Sequence, residues 1–164
     1  MKTLLVLRHA KSSWDHSHLS DFDRPLNGRG ERSAPAMGEF MRAKGLVPEV
    51  IIASPARRAR MTAEKAASAG EFEAEIQFDE RIYGAGANSL TYIVAEIEDS
   101  FETAMIVGHN PGFEMLVRAL TGEGDRMPTA ALAVIDLDIE GWSGVRTGAG
   151  SLRGLFLPRE ILGF

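Results

Sequence analysis

The chain has 164 residues, 45% of them hydrophobic and 25% charged, which is the composition of an ordinary globular domain of this length. It contains no cysteine, so disulfides and thiolate metal sites are excluded and a reducing compartment is favoured. Its net charge of −5 argues against a nucleic-acid partner, because phosphate backbones select basic surfaces.

Met1-Lys2-Thr3 leads directly into Leu4-Leu5-Val6-Leu7, a run far too short for a signal peptide or a membrane span. A cytoplasmic protein with no membrane partner is expected. An unbroken apolar run reads as a strand covered on both faces. Arg8 and His9 follow it without a turn, at the carboxyl end where open α/β sheets place their ligands. The polar segment from Lys11 to Asp23 lacks periodicity and is read as a loop beside that end. Arg24-Pro25-Leu26-Asn27-Gly28-Arg29-Gly30 is a turn signal, followed by a helix to about Lys44 with Met37, Phe40 and Met41 as its apolar stripe and Gly45 at its end. Pro35 falls inside it, where proline kinks a helix or shifts its start.

Val50-Ile51-Ile52-Ala53 is the second buried strand. Ser54-Pro55 then predicts a serine N-cap and a proline at the first helical position, with the helix ending at Gly70. A short strand over Glu75 to Phe78, a loop over Asp79 to Gly84 and a helix capped at Asn88 or Ser89 follow. Ala104 to Val107 is the next strand; it ends in Gly108-His109-Asn110-Pro111-Gly112 and a helix to about Leu120. The last third differs: Ala130 to Ile139 and Ser151 to Leu157 read as strands around a turn at Glu140 to Gly144, an antiparallel addition. The whole predicts a single α/β domain over residues 1–164, a three-layer α/β/α sandwich with a mostly parallel central sheet.

If the long apolar strands are parallel, their carboxyl ends share one sheet edge. Arg8 and His9, the segment from Ser54 to Arg58, and His109 then converge. Helical spacing places Arg58 on one face with Ala59, Thr62, Ala63 and Ala66, and Arg57 and Arg60 on the opposite side. Arg58 is therefore the arginine that turns inward. Two guanidinium groups and two imidazoles make a site for a tetrahedral oxyanion. A neutral histidine among them is a nucleophile towards phosphorus. Glu80, in the loop after the third strand, is the carboxyl best placed to protonate a leaving group.

These residues resemble the histidine phosphatase superfamily, with its phosphoglycerate mutase-like fold. Leu7-Arg8-His9-Ala10 is similar to its Arg-His-Gly signature, with alanine in place of glycine. Ser54, Arg58, Ala59 and Thr62 are similar to its Ser-x-x-x-Arg-Ala-x-x-Thr segment, Glu80-Arg81-Ile82-Tyr83-Gly84 to the segment carrying its acidic proton donor, and Gly108-His109 to its second histidine motif. Arg8-His9-Ala10-Lys11-Ser12-Ser13-Trp14, Arg24-Pro25-Leu26-Asn27 and Gly108 to Gly112 resemble the SixA-type phosphohistidine phosphatases. The resemblance implies a phosphatase without cofactor or metal, with His9 transiently phosphorylated, Arg8, Arg58 and His109 around the phosphoryl group, and Glu80 as proton donor. The expected substrate is a protein phosphohistidine. A small metabolite or sugar phosphate ester is the alternative, and a non-catalytic phosphate-binding module the second.

Overall fold

A computed structural model describes residues 1–162. Strands β1 (Lys2–Arg8), β2 (Val50–Ala53), β3 (Glu75–Phe78), β4 (Thr103–Gly108), β5 (Leu132–Leu137) and β6 (Gly150–Phe156) form one sheet in the order β3-β2-β4-β1-β5-β6. The first four in that order are parallel; β5 runs antiparallel to β1, and β6 antiparallel to β5. The parallel sheet and its antiparallel C-terminal addition are those the apolar runs predict.

Both faces of the sheet are covered, which is why the central strands are apolar without alternation. Leu4, Val6, Ile52, Ala104 and Ile106 pack on one side with helices α3 (Ala87–Ala95) and α4 (Gly112–Thr121) and with the buried Trp142. Leu5, Leu7, Ile51, Ala53, Met105 and Val107 face the other side, against α1 (Gly28–Ala43) and α2 (Arg57–Gly70). A short helix, α5 (Pro158–Leu162), lies beside α1. Helices α1 and α2 pack closely because Gly38 faces Ala66: a Cβ on Gly38 would lie 2.1 Å from the Ala66 carbonyl oxygen.

The start of α1 is set by Asn27, whose side chain accepts from the Gly30 amide at 2.9 Å. The helix runs on through Pro35 without a shifted start. Its α2 neighbour corrects an expectation. Ser54 does not cap it; the helix begins at Arg57, and the Ser54 hydroxyl accepts from the Ala56 amide at 3.2 Å while engaging His109. The serine is part of the strand-end site, and the backbone needs two further residues to turn into the helix. Glu80 to Ile82 forms a 3-10 turn in the expected loop.

Candidate active site

The register of the parallel strands brings three chain segments together. Arg8 is paired with Gly108, and Ala53 with Val107, so β1, β2 and β4 end nearly level. The backbone continues this pairing past the strands: the His9 amide donates to the Gly108 carbonyl and the Ser54 amide to the Val107 carbonyl, both at 2.9 Å. His9, Ser54 and His109 thus leave one sheet edge side by side. The His9 and His109 ring centroids are 5.2 Å apart.

His9 is buried, and its Nδ1 lies 2.8 Å from the Ala10 carbonyl oxygen. A carbonyl accepts only, so Nδ1 carries the proton and the lone pair of the neutral ring sits on Nε2. Burial holds the ring in that neutral form by pushing its pKa down to about 3; the Ala10 carbonyl opposes the shift, and the charges of His109, Arg58 and Arg8 reinforce it. The Ala10 peptide is anchored in turn. Its amide donates to Thr62 Oγ1 at 2.9 Å, and the Thr62 hydroxyl donates to the Arg58 carbonyl at 2.7 Å. The arginine-bearing helix therefore fixes the peptide that orients the His9 ring.

His109 Nε2 lies 2.8 Å from Ser54 Oγ. Burial, then the charge of Arg58, lowers its pKa to about 4, against an upward pull from Asp21. Arg8 Nη1 donates to the Met127 carbonyl at 3.0 Å, on the α4 side of the sheet, where a cavity of about 640 Å³ opens between Arg8, Asn110, Glu114 and Arg126. Burial also lowers the Arg8 pKa, partly offset by Glu114. Three buried nitrogens lack a hydrogen-bond partner among the described residues: Arg8 Nε, Arg58 Nε and His109 Nδ1. Buried polar nitrogens are nearly always paired, and the two arginine Nε–H donors among these orphans fit an anion that supplies acceptor oxygens.

The structure thus brings Arg8, His9, Arg58 and His109 together. Glu80 lies in the 3-10 turn beyond β3 with its side chain exposed, and makes no hydrogen bond or ion pair to the four among the described residues. Its segment reaches the site through Tyr83 instead, whose ring stands edge-on to His109 with centroids 5.4 Å apart.

Asp21 and Tyr83 are the site residues that sequence reasoning missed. Asp21 Oδ2 accepts from Arg58 Nη2 at 3.0 Å and from the Tyr83 hydroxyl at 2.6 Å. The Tyr83 bond first, then Arg58 and Arg24, holds the Asp21 carboxyl down at about 2. The signal that could have found it is its spacing, three residues ahead of Arg24, to which it is ion-paired across a 3-10 turn.

The chain is similar to known proteins in sequence and in fold. The model of the histidine phosphatase superfamily (branch 1) matches residues 4–106. An uncharacterized chloroplastic protein of Arabidopsis thaliana is 31% identical over 170 residues, covering 96% of this chain and 78% of that one. An uncharacterized protein of Mycobacterium leprae is 31% identical over 167 residues, covering 93% and 100%. Among solved structures, a provisionally assigned phosphohistidine phosphatase SixA from Agrobacterium tumefaciens has a TM-score of 0.83 at 27% identity, with 96% of this chain and 98% of that one covered. The protein histidine phosphatase SixA complexed with tungstate has the same TM-score and coverage at 20% identity, and so shares the fold. With its family model matched over residues 4–106 and its fold shared over nearly its whole length, the chain belongs to the histidine phosphatase superfamily.

Proposed function

We propose that the protein is a phosphatase working through a covalent phosphohistidine at His9, with a protein phosphohistidine as its substrate. The observation that carries the mechanism is the His9 tautomer: Nδ1 is committed to the Ala10 carbonyl, which leaves Nε2 as an unprotonated nucleophile at neutral pH. In the first step the bond from Nε2 to phosphorus forms as the bond to the leaving group breaks. Arg8, Arg58 and His109 take the equatorial oxygens and offset the charge gathered there. In the second step water attacks the phosphorylated ring, its hydroxyl joining phosphorus and its proton passing to the phosphate released. His9 is restored.

The protein substrate is supported by the mouth of the site. Trp14 (73% exposed), Phe22 and Tyr83 present large rings to solvent around Asp21 and Arg24. They are held in place: Trp14 lies on the Arg24 guanidinium at 3.5 Å, and Phe22 meets Tyr83 edge-on at 5.2 Å. Exposed aromatics anchored by an arginine suit docking against another protein. A cytoplasmic setting fits the cysteine-free composition. The cavity beside Arg8, with Arg126 on its wall, favours the second reading, a small phosphate ester carrying another anionic group.

The test is chemical trapping combined with a substrate comparison. His9→Ala abolishes turnover of a phosphohistidine protein and leaves the circular dichroism spectrum unchanged. An acid-labile phosphoryl adduct forms on the wild type during turnover and not on the variant. Full activity in the variant would refute the mechanism, and a preference for small esters over phosphohistidine protein would favour the second reading.

A further inference from the structure

The four converging groups can hold a phosphoryl group from any donor; none of them distinguishes one leaving group from another. The segment between β1 and α1 adds something they lack, a fixed negative charge. The Asp21 carboxylate accepts from Arg58 Nη2 at 3.0 Å and from Tyr83 at 2.6 Å through one oxygen, and from Arg24 Nε at 3.2 Å through the other. The Asp21 carbonyl accepts from Arg58 Nη1 at 2.6 Å. Arg24 is itself buried and tied to Ser12 Oγ at 2.7 Å and to the Ser13 carbonyl at 3.2 Å. The carboxylate is therefore held on both sides although half its side chain is open to solvent.

Orienting Arg58 does not require this charge. A neutral amide oxygen would accept the same bonds from Arg58 and Tyr83, losing only the acceptor for Arg24 Nε. A carboxylate beside a phosphate-binding guanidinium works against any phosphate dianion, because like charges at short range repel. What it favours is a cation in the leaving group. A phosphorylated imidazole supplies one when its distal nitrogen is protonated. As His9 Nε2 bonds to phosphorus and the substrate P–N bond breaks, the electron pair stays on the departing nitrogen, and the ring leaves neutral with the proton it already carried. No proton has to be delivered to the leaving atom. An ester leaving group gathers negative charge at the same stage and meets the carboxylate as a repulsion.

We infer that Asp21 is the specificity-determining residue of this site, a fixed carboxylate on the rim of the phosphoryl pocket that favours phosphoramidates with a cationic leaving group over esters whose leaving group becomes anionic. The inference rests on the phosphatase reading of Arg8, His9, Arg58 and His109. Discrimination of this kind depends on a repulsive element as much as on an attractive one.

The wild type, Asp21→Asn and Asp21→Glu are compared at one pH on phosphoimidazole and on p-nitrophenyl phosphate, and inorganic phosphate binding to each is measured by calorimetry. Asp21→Asn keeps the shape and removes the charge. The ratio of kcat/KM for phosphoimidazole to that for the aryl ester falls at least tenfold in Asp21→Asn, and inorganic phosphate binds at least threefold tighter. Asp21→Glu keeps the ratio within threefold of the wild type. An unchanged ratio in Asp21→Asn overturns the inference: equal loss on both substrates makes Asp21 a positioning residue for Arg58, and no loss on either makes it irrelevant. If the wild type does not turn over phosphoimidazole, the phosphohistidine reading fails on its own. Phosphate binding then decides the inference, and absence of tightening in Asp21→Asn overturns it.

Discussion

Thr62 Oγ1 accepts the Ala10 amide hydrogen at 2.9 Å and donates to the Arg58 carbonyl at 2.7 Å, so one hydroxyl joins the peptide that orients His9 to the helix that carries Arg58. Thr62→Val keeps the shape and leaves the buried Ala10 amide unpaired. Such a loss costs about 1–3 kcal/mol. A small displacement of the ring lowers kcat by roughly ten- to a hundredfold. Urea unfolding and steady-state kinetics read the two effects, and Thr62→Ser restores both.

Ser54 sits between the β2 end and His109, with its Oγ 2.8 Å from Nε2. Ser54→Ala frees that nitrogen and removes the acceptor of the Ala56 amide. The expected result is a loss of about 1 kcal/mol in stability. The His109 tautomer populations also change, visible in nitrogen-15 spectra of the ring, and kcat falls while the fold persists.

The His9 pKa falls from its ordinary 6.5 to about 3 on folding. Between those values the unfolded chain holds a proton on His9 that the folded chain does not. Stability therefore rises with pH across this window and is lost as pH falls through it. His9→Gln abolishes this proton uptake, so its urea midpoint declines less steeply from pH 6.5 to pH 4 than that of the wild type. For the same reason His9 itself sets no acid limb near pH 6.5 in kcat/KM.

Gly38 lets α1 approach α2 at Ala66, where an added Cβ would come within 2.1 Å of the carbonyl oxygen. Backbone cannot give way as a side chain end can. Gly38→Ala is expected to destabilise by about 1–3 kcal/mol, the usual penalty of overpacking, read as a lower Tm. Because α2 carries Arg58, KM for phosphate substrates rises as well.

Glu80 is exposed and makes no hydrogen bond to either histidine among the described residues. Glu80→Gln is expected to change kcat on phosphoimidazole by less than threefold. A larger fall, above all on an alkyl phosphate with a poor leaving group, would return to Glu80 the donor role that the family resemblance implies.

The strand-end site was legible because burial on both faces forces unbroken apolar runs, and Arg8, His9 and His109 each interrupt one. Arg58 was legible through helical spacing, since a face of Ala59, Thr62, Ala63 and Ala66 packs inward and takes the arginine with it. The Ser54-Pro55 pair misled, because its local capping chemistry is the same whether the hydroxyl turns to the helix or to a distant histidine. Asp21 and Tyr83 were hardly legible, the spacing of Asp21 to Arg24 being the one local signal. They lie in segments without periodicity, where no face is defined until tertiary contacts fix it, and their partners are far away in sequence: 37 residues separate Asp21 from Arg58, and 62 from Tyr83.

The two tryptophans occupy opposite extremes of this fold. Trp142 is fully buried on the α3 side of the sheet, with its indole nitrogen donating to the Phe101 carbonyl at 2.8 Å. Trp14 is largely open to solvent and rests on the guanidinium of Arg24, the same arginine that steadies Asp21. The protein therefore carries its own optical reporter: one indole shielded from solvent in the core, the other open at the mouth of the pocket. A shift in its emission separates a partner arriving at that mouth from a phosphate ion settling beneath it.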